Sequence, residues 1–62
     1  MIKEYAIQGE TVDGDFIQFG FEGTIEDCIR ECELALEDLG GGHLDIFILH
    51  NTWDEFIIDV EV

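Results

Sequence analysis

Between Thr24 and Gly40 the chain carries one amphipathic helical segment, and the rest of a 62-residue chain has to be arranged to cover its apolar stripe. At 100° per residue, Ile25, Cys28, Ile29, Cys32, Ala35, Leu36 and Leu39 fall within an arc of roughly 120°. Thr24 is a suitable N-cap, and Glu26 and Asp27 suit the positive end of the helix. Gly40 begins the stop signal, and Gly40-Gly41-Gly42 reads as a flexible exit. Leu34 points away from the stripe and is the one large apolar residue on the acidic face.

The segments on either side have strand composition. Residues 2–8 and 15–22 flank an Asp13-Gly14 turn, and residues 43–50 and 55–62 flank Asn51-Thr52-Trp53-Asp54. In the first hairpin a two-residue turn puts Ala6 and Gln8 on the face of Ile17, Phe19 and Phe21. A bulge at Gly9 reverses this and brings Tyr5 and Ile7 inward, and the bulge is the expectation. In the last strand Phe56, Ile58, Val60 and Val62 alternate with Glu55, Ile57, Asp59 and Glu61, which marks the first set as inward. The third strand is apolar on both faces: a three-residue loop turns Leu44, Ile46 and Ile48 inward, and a two- or four-residue loop turns Phe47 and Leu49 inward. Either way large apolar side chains remain on the open face with Ile57.

The expected fold is α+β, a single β-β-α-β-β domain over residues 1–62 with one helix packed on one face of a four-stranded sheet. In element order this resembles the β-grasp layout of the immunoglobulin-binding domains of streptococcal protein G. That resemblance implies first and last strands lying parallel at the sheet centre; it rests on no shared motif and implies no ligand. A chain this short buries only about 60% of the surface that its unfolded form exposes, so its stability is expected to be small.

Sixteen carboxylates against Lys3 and Arg30 leave a net charge of −14. Such a field repels nucleic acid and anionic membrane, leaving no direct nucleic-acid or membrane ligand expected, and it attracts a basic protein surface. Two basic residues cannot hold a nucleotide, and the triple glycine follows a helix with no lysine behind it, unlike a phosphate-cradling loop. No apolar run is long enough to span a bilayer and the first residues lack a signal-peptide pattern, so the expected location is cytoplasmic.

No catalytic constellation assembles on paper. The carboxylates are spread evenly instead of paired, there is no serine, and Thr24 is committed to capping. Cys28 and Cys32 lie on the buried stripe, unsuited to a disulfide, and with one histidine make a set one ligand short of structural zinc. His43 and His50 are seven apart and point to opposite faces. Asp13-Gly14-Asp15 lacks the spacing of a calcium loop. The expectation is no enzyme, no metal and no cofactor.

Two surfaces remain. On the helix, Glu26, Asp27, Glu31, Glu33, Glu37 and Asp38 give about one negative charge per 3 Å, at a rise of ~1.5 Å per residue. That linear density is similar to that of a DNA strand, which carries one phosphate per ~3.4 Å of helix axis. In size and composition the chain resembles small acidic phage-encoded inhibitors of DNA- or RNA-handling proteins. The first expectation is therefore an acidic inhibitor or modulator docking through Glu26, Arg30, Glu33, Leu34 and Glu37 on a basic surface of a nucleic-acid-handling protein. The alternative is a structural subunit that homodimerises through the open sheet face, with Phe47 and Ile57 at its centre. Trp53, at the second hairpin's tip, either anchors an interface or folds back over the sheet end.

Overall fold

The computed structural model describes residues 2–62. The elements follow the expected order: β1 (Lys3–Thr11), β2 (Phe16–Gly23), α1 (Ile25–Asp38), β3 (Gly42–Leu49) and β4 (Asp54–Glu61). Thr24 adopts extended backbone and its Oγ1 accepts from the Asp27 N–H at 3.2 Å, satisfying one of the donors left free at the helix start. At the other end the Gly41 N–H donates to the Leu36 carbonyl at 2.7 Å and the Gly40 N–H to the Glu37 carbonyl at 3.3 Å, a Schellman closure. The triple glycine is not a flexible exit. Gly42 and Val62 exchange both backbone hydrogen bonds, at 3.0 and 3.1 Å, and the Gly41 carbonyl accepts from the Val12 N–H at 2.9 Å.

The sheet order is β2-β1-β3-β4 and every neighbouring pair is antiparallel. The resemblance to the β-grasp layout therefore holds for element order and for the helix on one face, and ends at the sheet centre. There β1 pairs with β3 and not with a parallel β4. Of the two C-terminal strands, β3 is apolar on both sides and takes the interior place, while the more acidic β4 takes the solvated edge.

Tyr5 and Ile7 do point inward, opposite Phe21 and Phe19, but pairing is unbroken through Gly9 and Ile17. The extra residue sits in the turn. The Gly14 N–H donates to the Thr11 carbonyl at 2.9 Å and the Thr11 N–H to the Asp15 carbonyl at 2.9 Å, leaving a three-residue loop with Gly14 at φ 88°. Gly9 has a different job: a Cβ there would collide with the His43 carbonyl across the strand pair.

The second hairpin also departs from its parity rule. Leu49 pairs with Asp54 across four loop residues, yet Leu44, Ile46 and Ile48 are the inward set. The register shifts between Ile46, paired with Ile58, and Phe47, paired with Phe56, which makes Ile57 the extra residue of a β-bulge. That shift keeps Ile58 and Val60 on the helix side and turns Phe56, expected inward, to the open face beside Phe47.

Helix and sheet close over one core of Tyr5, Ile7, Cys28, Cys32, Leu36, Leu44, Ile46 and Val60, with Ile17, Phe19, Phe21, Ile25, Ile29 and Ile48 packed around it. Leu39, placed at the end of the stripe, is 45% exposed because it is already the C-cap. Among the described residues, no helix is long and apolar enough to cross a membrane.

Candidate functional site

The outer side of α1 gathers the predicted charge. Glu26, Asp27, Glu31, Glu33, Glu37 and Asp38 are all exposed, and so is Leu34 in their midst. Arg30 reaches Asp27 at 3.3 Å, one turn along the same face, so the strip's one cation is spent on its own first turn. Exposed as it is, this pair adds little to stability. The structure thus brings Glu26, Arg30, Glu33, Leu34 and Glu37 together on one solvent-facing strip.

The open face of the sheet is more acidic than its sequence suggested. Cross-strand pairing lines up four rows. The first consists of two pairs, Glu22 with Glu4 and Leu49 with Asp54, and Gly20, Ala6, Phe47 and Phe56 form the second. Gln18, Gln8, Asp45 and Asp59 form the third, and Phe16, Glu10, His43 and Glu61 the fourth. The apolar patch is therefore the Phe47–Phe56 row with Leu49 beside it, and Phe16 stands apart on the edge strand. Phe47 and Phe56 meet edge to face with ring centroids 5.7 Å apart. Ile57 stands at the bulge, 40% exposed. Trp53 stacks on His50 at 4.1 Å within its own hairpin loop and stays 56% exposed.

His43 and His50 lie at opposite ends of β3 and neither approaches a thiol. His50 Nε2 is 3.1 Å from a Glu55 carboxylate oxygen. His43 Nδ1 is 3.1 Å from Asp59 Oδ2 and 4.0 Å from Asp45 Oδ1. The hydrogen bond to Asp59 pushes the His43 imidazole up from its ordinary value, and a hydrogen bond shared with Asp59 does the same to the Asp45 carboxyl. From the sequence Asp45 and Asp59 read only as charges among the apolar side chains of the open face, with no link to His43. The His-x-Asp spacing puts two of these groups on one face of β3, but only the register across the bulge brings Asp59 opposite.

Cys28 and Cys32 are free thiols without solvent exposure. Burial pushes both up, Cys32 to about 12, so neither is a thiolate nucleophile at neutral pH. One of the surface hollows, of about 310 Å³, lies open between Lys3, Glu4, His50 and Asn51 at the sheet end. No family model matches the chain, and neither a curated protein nor a solved structure matches it.

Proposed function

We propose that this chain is a non-enzymatic binding protein whose acidic helix face docks on the basic surface of a nucleic-acid-handling protein and competes there with nucleic acid. The observation that carries this reading is the exposed strip of six carboxylates along the fourteen-residue α1, with one exposed apolar residue, Leu34, at its middle. A linear charge density close to that of a DNA strand lets carboxylates stand in for phosphates on a basic surface, and Leu34 supplies the apolar contact that an interface centre uses. The molecule's longest dimension is 34 Å, about one turn of duplex DNA. Its other charges lie around the same body, so the field that steers it to a basic partner is strong from every side.

The test is competition. A host protein retained on the immobilised chain at low salt should lose its DNA or RNA to the free chain, and should elute steeply as salt rises. A partner that stays bound unchanged at high salt, or that binds nucleic acid and this chain together, contradicts the proposal.

A second reading is favoured by the Phe47–Phe56 pair, 54% exposed at Phe56: a homodimer through the open sheet face. The acidic rows on both sides of that narrow apolar row oppose such a contact, since a second copy would bring like charges together. Light scattering on the wild type and on Phe47→Asp separates the two readings. A tight dimer lost on substitution supports the homodimer; a monomer supports docking on a foreign basic surface.

A further inference from the structure

We propose that His43, Asp45 and Asp59 form a binding site for a divalent transition-metal ion of the zinc type on the open face of the sheet. One ligand atom from each side chain lies within 4.8 Å of the other two. Donors held at ~2.0–2.2 Å in tetrahedral geometry stand about 3.3–3.5 Å apart, so the observed 3.1 and 4.0 Å from the imidazole nitrogen require only small side-chain rotations. The backbone fixes all three positions: His43 and Asp45 are two apart on β3, and Asp59 is directly opposite Asp45 on β4.

The electrostatics call for a cation. Two carboxylates directly opposite across a strand pair repel, and Glu10 and Glu61 flank His43 on the neighbouring strands. Beyond the His43 imidazole itself, no lysine or arginine relieves them among the described residues. Lys3 pairs at the far end of β1 with Gly23, roughly 17 Å along the strand from Gln8, the residue beside Asp45, and Arg30 is on the helix with Asp27. An imidazole nitrogen with two carboxylate oxygens suits zinc, and disfavours magnesium, which takes oxygen ligands and keeps its water. With the His43 side chain 45% exposed, the fourth position opens to solvent and takes water. Bound metal would remove two negative charges from the sheet face and tie β4 to β3 beyond the bulge.

The experiment is a titration of the chelator-treated full chain with zinc chloride, read by calorimetry, by thermal melting and by the imidazole resonances of both histidines. The expected result is one zinc per chain, a raised melting temperature, and a shift of the His43 resonances that the same concentration of magnesium does not produce. His43→Gln and Asp59→Asn should each weaken binding at least about tenfold, while His50→Gln leaves it unchanged. Asp59→Asn also relieves the carboxylate repulsion, so it folds and keeps the comparison sound. The site is overturned if the wild type takes up no zinc at millimolar concentration, if magnesium shifts it equally, or if zinc binding survives His43→Gln.

Discussion

Two glycines in neighbouring strands show how much a single Cβ decides here. Gly9 on β1 faces the His43 carbonyl so closely that an added methyl has nowhere to go, whereas a Cβ on Gly20 of β2 would meet only the Tyr5 carbonyl at 3.8 Å. Gly9→Ala should therefore force β1 and β3 apart at a cost of about 1–3 kcal/mol, seen as a fall in melting temperature of at least about 4 °C. Gly20→Ala should stay within about 0.5 kcal/mol of the wild type. Equal effects in a pair of thermal melts would show that the close approach is not real. The thiols make a second residue-scale prediction. Cys28 and Cys32 should resist alkylation at pH 8 in the folded protein and react once guanidinium unfolds it. Because burial raises both, the folded state keeps protons that the unfolded state releases above the ordinary thiol value of 9.0. Their contribution is thus fully present below pH 9 and falls as pH rises toward about 12. Fast alkylation of the folded chain at pH 8 would contradict their placement.

At the scale of elements, the helix was legible almost to the residue, because its cap, stripe and stop are local chemistry that no partner has to supply. The inward faces were legible only in part. Tyr5 and Ile7 turn inward as expected, but β3 left two sets open and Phe56 was expected on the face it does not take. The devices that set the faces are hidden: each hairpin depends on one extra residue, and the alternation pattern does not say where that residue sits. Asp13-Gly14 looked like a two-residue turn and is part of a three-residue loop; Ile57 looked like a member of an alternating strand and is a bulge. The pairing of β1 with β3 left one trace, since a strand apolar on both faces belongs in a sheet's interior. The His43–Asp45–Asp59 cluster left none, because it exists only once β4 has its register. The bulge itself is open to test. Deleting Ile57 leaves Phe56 opposite Phe47, Ile58 opposite Ile46 and Val60 opposite Leu44, so every side chain keeps its face. That variant should fold cooperatively with a stability change below about 1 kcal/mol. A molten or unfolded chain by circular dichroism would show that the bulge is required for the sheet and not merely tolerated.

Taken whole, the molecule is a thin helix-on-sheet sandwich with net charge −14 over 4149 Å² of surface, and no carboxylate side chain is buried among the described residues. A domain whose core rests on eight buried apolar residues keeps that charge although it weakens the fold through self-repulsion. Docking on a basic partner relieves the repulsion, which links the protein's least favourable property to its proposed use. In the proposed docking the helix strip makes the contact and the equally acidic sheet rim does not. Two variants of identical net charge separate these surfaces, one carrying Glu26→Lys, Glu33→Lys and Glu37→Lys and the other Glu4→Lys, Glu22→Lys and Asp54→Lys. The decisive measurement is the affinity of each for the nucleic-acid-handling partner at one fixed moderate salt concentration. The account predicts a loss of about a hundredfold or more for the helix variant, with the sheet variant within about fivefold of wild type. Equal losses, or the larger loss in the sheet variant, would contradict it.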